Sequence, residues 1–487
     1  MRYTSPEKKG IPTEALKKYV EHLECHGLST HSLIVARGND IVLEKYWEPF
    51  GRDFLHRMYS VTKSFVAIAI GFLADEGRVD INDPISKYFP KETALAKDDY
   101  IRNQTVRDML MMCSAMPKGY PNWFRTSAED RVLDYFTNNN GASYPSGTVF
   151  SYDSTGSFIV GCLVERVTGM TLCDYLNEKL FKKLGVEGAY MLKCPGGHSW
   201  SDSALLMRPI DLLKCARFML NGGRWEGEQL LSESFVTEAT SRLVSTEGLG
   251  STDVDGKGYG YLIWRTRDNS FFFNGMGCQL AIANFDKDVI FVYNGDNQGN
   301  NVAKSYIIDG FFEIVYPEIV DGELPEYQGE PIGEYKLAVA KGESTSKVSD
   351  IINGKKYALG PNPMGIECMR IALDGKEGRL DYKNKTGDKT LFFAIGENRF
   401  GKFPEDGYSD LIGSKRAPGN KYDCAVSGAW VGDHELLLKV QLIDRYFGKL
   451  VIRLSFKGDE VTVNMSKCAE NFLDEYSGIA HGKVSCD

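Results

Sequence analysis

Apolar positions change their spacing near residue 334. Before that point, strand-like apolar runs are interleaved with segments whose apolar residues recur every three or four positions. Residues 13–26, following Pro12 and Thr13, carry the helical spacing. HSLIVAR and DIVLEKYW come next, separated by Gly38 and Asn39, and predict a β-hairpin. From Ser60 to Glu76 the residues are dominated by Ala, Ile, Phe and Leu and predict one long buried helix, stopped at Gly77. Further helices are predicted around 105–112 and 155–184, and RPIDLLKCARFMLNGG reads as a helix ending in a glycine pair. SFFFNGMGCQLAIANF and DVIFVYNGD read as two more strands. Strands at both ends of the region with helices between them predict an α+β layered domain over residues 1–320.

Pro, Gly and Glu concentrate over 317–333, the composition of an inter-domain linker. From 334 to 487 long helical periodicity is missing. Alternating runs such as HELLLKVQLI, KLVIRLSF and EVTVNMSK are separated by short turns, which predicts a second, all-β antiparallel domain closed into a barrel or sandwich.

Composition narrows the function classes. The formal net charge is -9, which argues against nucleic acid as a partner because phosphate contacts need clustered Lys and Arg. The most apolar run, Ser64–Ala74, is too short to span a bilayer, so no membrane partner is expected. The N-terminus is polar, without an apolar secretory segment, and the expected location is cytoplasmic. Eleven cysteines, an odd number without a CxxC pair, fit small buried hydrophobes in a reducing compartment. With no HExxH and seven dispersed histidines, no metal and no cofactor are expected. A homo-oligomer is left open.

The candidate chemistry begins at Ser60 and Lys63, an S-x-x-K pair at the head of the apolar helix. Residues three apart share a helix face, so the lysine can reach the serine hydroxyl. A serine becomes a nucleophile only when a base takes its proton. The helix N-terminus adds N–H groups that stabilise a developing oxyanion. Two other S-x-x-K matches, Ser5–Lys8 and Ser344–Lys347, lie in polar surroundings and read as surface turns. The spacing alone leaves two readings even: a nucleophile and its base, or a helix N-cap with a lysine on the solvated face.

The run from Arg57 to Pro90, with TKSFVAIAIGFLADEGRVDINDPISKYFP and then TVRDMLMMCSAM, resembles the nucleophile segment of the serine β-lactamase and penicillin-binding-protein superfamily. The resemblance covers roughly residues 10–315. It implies Ser60 as nucleophile, Lys63 as base and a tyrosine facing them from a Y-x-N element or a variant. Literal Y-x-N matches occur at Tyr120-Pro121-Asn122 and Tyr382-Lys383-Asn384, but the phrase PSGTVFSYDSTGSFIVGCLVERVTG is the similar one, which assigns Tyr152, with Ser154 in place of the usual Asn. The literal K-T-G, Lys385-Thr386-Gly387, reads as a hairpin turn in the β domain. The matching strand is FFFNGMGCQLAIANF, similar to the G-x-G-G-Q variant of esterase-like members. There Gly275 and Gly277 permit close backbone approach, and the Gln279 N–H would join that of Ser60 as the oxyanion hole. No cation stands where the K-T-G lysine would be, since Met276 is near that place; Arg125 and Arg208 are the candidates from elsewhere.

The expectation is a serine hydrolase cleaving a small-molecule ester, amide or peptide through an acyl-enzyme, without metal. The alternatives are a β-lactamase or D-Ala-D-Ala carboxypeptidase, and a non-catalytic binding or assembly protein on the same fold. The C-terminal domain resembles the lipocalin-like barrels appended to some members. No G-x-S-x-G or G-x-x-x-x-G-K occurs, so neither an α/β-hydrolase elbow nor a phosphate loop is indicated.

Overall fold

The computed structural model describes residues 1–116, 130–137, 143–248, 256–408, 416–469 and 473–485. They form two compact units, one spanning Met1–Lys336 and the other starting at Leu337. Tyr120-Pro121-Asn122 and Arg125 lie outside the described residues.

The first unit is built on an antiparallel sheet. Its strands are β1 (Thr30–Arg37), β2 (Asp40–Glu48), β3 (Trp264–Thr266), β4 (Ser270–Gly275), β5 (Gln279–Asn284) and β6 (Val289–Gly295), in the spatial order β2-β1-β6-β5-β4-β3. Two-residue strands at Arg2–Tyr3 and Tyr335–Lys336 add to β2 in parallel. Helices α1 (Thr13–Cys25) and α5 (Ala303–Ile314) cover one face, where Leu16, Tyr19 and Phe311 pack with Leu33, Val35 and Phe291. The Tyr19 hydroxyl donates to the Ile307 carbonyl at 2.7 Å and ties the two helices together. The intervening positions, Ile34 and Ala36 on β1 and Ile290 and Val292 on β6, are equally buried on the opposite face. With both faces covered, these strands read as continuous apolar runs rather than alternating ones.

The longest of the described helices between β2 and β3 in the chain are α2 (Val61–Asp75), α3 (Ser154–Thr168) and α4 (Pro209–Leu220). Helix α2 is buried on all sides from Val61 to Leu73, which explains its uniform apolarity. The run SFFFNGMGCQLAIANF, expected as one strand, is a hairpin of β4 and β5. Gly277 (φ 74°) and Cys278 (φ 70°) take left-handed backbone in the turn, and Gly275 faces Gln279 across it. A glycine adopts such a conformation at little cost. Among the described residues no single helix is long and apolar enough to cross a membrane.

A buried histidine pair sits at the base of β1. His31 Nδ1 and His56 Nε2 are 2.8 Å apart, and His31 stacks on Phe50 at 3.8 Å. Burial pushes the His56 imidazole down to about 3.

The segment after α5 runs back along the first unit. Val320 N–H donates to the Gly10 carbonyl (3.0 Å) and Leu324 N–H to that of Glu7 (2.9 Å), and Arg37 meets Asp321 at 3.0 Å.

The second unit is a closed barrel. Its strands are β7 (Lys356–Leu359), β8 (Cys368–Asp374), β9 (Glu377–Asn384), β10 (Gly387–Ile395), β11 (Arg399–Tyr408), β12 (Arg416–Trp430), β13 (Glu435–Ile443), β14 (Phe447–Lys457), β15 (Glu460–Ala469) and β16 (Gly478–Val484). The ring runs β10-β9-β8-β7-β16-β15-β14-β13-β12, and a parallel pairing of Ala394–Ile395 with Ser427–Gly428 closes it. Strand β11 pairs with β12 outside the ring. Both dismissed literal motifs fall here: Lys385-Thr386 turns the β9–β10 hairpin, and Tyr382 lies inside the barrel, 2.6 Å from the Tyr476 hydroxyl.

Candidate active site

Ser60 is the N-cap residue of α2, yet its hydroxyl makes no capping bond. It is freed from that task by a tight turn in which Met58 and Tyr59 carbonyls accept from Val61 and Thr62 (3.1 and 3.0 Å). Tyr59 before it is held at φ 46°, a strained conformation for an aromatic residue and of the kind found at functional turns. Among the described residues the Ser60 N–H has no hydrogen-bond partner.

One helical turn on, Lys63 is 1% exposed, and its Nζ lies 3.0 Å from Ser60 Oγ. It is not the lysine of a solvated face. The same nitrogen donates to the Asp202 backbone carbonyl at 2.6 Å and lies 5.2 Å from the centre of the Tyr152 ring. Asp202 is fixed in turn by its carboxylate, which pairs with Arg131 at 3.0 Å with both groups buried. The Arg131 guanidinium sits against the Phe158 and Trp200 rings at 4.1 and 4.2 Å. Neither Asp202 nor Arg131 had a signal in the sequence, because the group that reaches Lys63 is a main-chain oxygen.

Tyr152 presents its ring, stacked on Trp264 at 5.8 Å, and among the described residues its hydroxyl has no hydrogen-bond partner. The following Asp153 caps α3 by accepting from Gly156 N–H (2.9 Å), and also accepts from the Ser114 hydroxyl (3.0 Å). Its burial raises the carboxyl above the usual range, which those bonds oppose. This buried cap holds the turn that carries Tyr152.

Ser60, Tyr152, Gly275, Met276 and Gly277 line one cleft of about 410 Å³. Gly275 lies against the turn that carries Ser60: a Cβ there would be 2.3 Å from the Met58 carbonyl oxygen and 3.3 Å from Val61. Two residues expected at the cleft do not line it. Ser154 is already inside the first turn of α3 and buried, because Asp153 takes the cap position. Gln279 is wholly buried behind the hairpin turn. Its amide nitrogen donates to the Met276 and Gly295 carbonyls (3.1 and 2.6 Å) and its oxygen accepts from Asn294 (3.1 Å), so it braces the turn.

The cleft also holds a cation that the strand sequence did not reveal. Lys304, at the start of α5, is part of the lining. Arg208 is committed elsewhere, to Asp211 at 2.7 Å and Glu187 at 3.1 Å.

The family model described as Beta-lactamase matches residues 15–307. The chain belongs to the Beta-lactamase family. The superfamily resemblance of the Arg57–Pro90 segment is therefore borne out, and the first unit has the β-lactamase/transpeptidase-like fold. Among curated proteins, this β-lactamase-family chain is 26% identical over 294 residues to a 6-aminohexanoate-dimer hydrolase of Paenarthrobacter ureafaciens, covering 56% of this chain and 74% of the relative. A penicillin-binding-protein homologue from Caulobacter crescentus superposes with a TM-score of 0.51 at 19% identity, covering 62% of this chain and 97% of that one. The crystal structure of SurE with D-Leu gives a TM-score of 0.51 at 18% identity over 88% of this chain and 97% of that one. At these identities the solved structures speak to the fold alone.

Proposed function

We propose that this protein is a serine hydrolase that cleaves an amide or ester through an acyl-enzyme on Ser60. The observation that carries the reading is the 3.0 Å approach of a buried lysine amine to a serine hydroxyl on the floor of an open cleft. In the neutral amine, one N–H stays on the Asp202 carbonyl and the lone pair faces Ser60 Oγ. Attack of Oγ on the acyl carbon passes the hydroxyl proton to Lys63 and moves the carbonyl π pair onto oxygen. The unpartnered N–H of Ser60 is one donor for that oxyanion. The second donor in this reading is the N–H of Met276, which lines the cleft beside Gly275, rather than that of Gln279.

The amine or alcohol then leaves with a proton relayed from Lys63 through the Tyr152 hydroxyl, which closes from its present position over Lys63. Water, deprotonated by the same pair, attacks the acyl carbon and releases Ser60. The test is labelling with a fluorophosphonate probe and mapping of the adduct. Wild-type protein should be labelled at Ser60, and Ser60→Ala should lose turnover of p-nitrophenyl butyrate by about 10³-fold or more while keeping its melting temperature. Label on another residue would remove the nucleophile assignment.

Similarity to a hydrolase named for an aminohexanoate dimer supports an amide substrate. Lys304 favours a second reading, in which the substrate bears a carboxylate, as β-lactams and peptide termini do. The matching strand offers no cation for such a carboxylate, and Lys304 would meet it from α5 instead.

A further inference from the structure

A cluster of soft and hard metal donors lies outside the cleft, between α3 and the loop that leads to Asp202. Cys162 and Glu165 are three residues apart on one face of α3, and His198 approaches them from the loop. One ligand atom from each of the three lies within 4.8 Å of the others. Donors around a tetrahedral zinc ion are about 3.3–3.8 Å apart, given bonds of about 2.0–2.3 Å, so modest closure brings the three to bonding distance.

The carboxylate is already aimed. Glu165 Oε1 accepts the N–H groups of Ser199 (3.0 Å) and Leu172 (3.2 Å), which leaves Oε2 toward His198 Nδ1 at 2.7 Å. Backbone donors on the outer oxygen are the kind of support that orients a metal-binding carboxylate. Cys194 is buried on the same loop as His198. Cys194 and His198 bracket a tight turn: the Cys194 N–H donates to the His198 carbonyl at 2.9 Å, and Gly197 is left-handed at φ 85°. The chain thus supplies C-x-x-E on a helix and a histidine on a loop, a pattern that a search for CxxC or HExxH passes over.

We propose that Cys162, Glu165 and His198 bind one Zn²⁺, with its fourth position left to water. Thiolate and imidazole donors select zinc over magnesium or calcium. Binding sends the Cys162 thiol proton to solvent, and when Nδ1 takes the ion the proton between His198 and Glu165 moves to Nε2. The resulting site, with one thiolate, one carboxylate and a neutral imidazole, carries no net charge. The ion would staple the loop of His198 to α3, and that loop delivers the Asp202 carbonyl to Lys63.

The test uses the full chain, expressed with zinc and passed through metal-free buffer. Elemental analysis should find about one zinc per chain in the wild type. Loading Co²⁺ in its place should give the thiolate-to-cobalt charge-transfer band in the near ultraviolet, and a strong chelator should lower the melting temperature by several degrees. Cys162→Ser and His198→Asn should each lose the metal. Glu165→Gln, which keeps the shape and the backbone bonds, covers the case in which a cysteine variant fails to fold. Wild-type protein without zinc or without the cobalt–thiolate band would overturn the proposal. So would equal zinc in the wild type and in the Cys162→Ser or Glu165→Gln protein, since the ion would then be bound elsewhere.

Discussion

Replacing Gly275 by alanine tests whether the β4–β5 turn and the nucleophile form one machine. The added Cβ would stand 2.3 Å from the Met58 carbonyl oxygen and 3.0 Å from Gln279 Cβ. Carbon and oxygen rest at about 3.3–3.6 Å even in the weak C–H···O contact, so relief requires about 1 Å of movement. The obstructing oxygen is main-chain, and it accepts from Val61 N–H at 3.1 Å within the nucleophile turn, so no flexible side chain can swing aside. The end of β4 must therefore retreat from Ser60, carrying Met276 with it. Displacement of about 1 Å in a catalytic array costs about 10²-fold in rate, or about 2.7 kcal/mol of transition-state stabilisation. Overpacking adds about 1–3 kcal/mol of destabilisation. Steady-state hydrolysis of p-nitrophenyl butyrate, with a urea melt of the same protein, separates the two effects. The expected result is a fall in kcat of about 10²-fold in a protein that is still folded at assay temperature. A folded Gly275→Ala protein within about threefold of wild-type kcat would refute the argument, because the turn would then move without disturbing the chemistry.

Three further outcomes follow from groups described above. Because burial lowers His56 in the folded state, the unfolded chain takes up that proton first. The contribution of neutral His56 is then full above about pH 6.5 and is lost as pH falls toward 3. Urea midpoints should drop between pH 7.5 and 5 by the equivalent of about 2 kcal/mol, and a His56→Gln protein should show a shallower loss; parallel pH profiles would contradict this. Arg131→Met strands the Asp202 carboxylate in the interior and should cost about 3–5 kcal/mol, with partial recovery in Arg131→Met/Asp202→Asn; an unchanged urea midpoint in the single variant would count against the buried pair. Lys304→Ala should lower kcat/KM for an amide bearing a carboxylate about tenfold more than for its neutral methyl ester, and equal losses would remove the lysine from substrate recognition.

The nucleophile region was readable because its chemistry is local. Three-residue spacing puts Lys63 and Ser60 on one helix face, the resemblance of the Arg57–Pro90 run chose between the base and a solvated lysine, and the uniform apolarity of α2 marks a helix buried on all sides. The β4–β5 hairpin was missed because its turn is short and apolar, and only Gly277 advertises it. Lys304 was illegible for another reason: it reaches the cleft from a helix at the far end of the domain, and only the sheet order brings that helix back to Ser60. Gln279 and Ser154 show the limit of carrying a motif across by phrase. The phrases align, but the cap at Asp153 and the hairpin register decide which residues face the cleft.

The Asp202 carbonyl has a consequence for how far such a sequence can drift. A side chain that orients an amine is lost by one codon change, whereas a carbonyl oxygen survives any replacement that preserves the path of the chain. In the proposed reaction main-chain groups would also be the oxyanion donors, so sensitivity to side-chain identity would fall on few positions, Ser60, Lys63 and Tyr152 foremost, and elsewhere on backbone course. The positions that remain sensitive are those, such as Gly275, where a new atom would push the backbone itself.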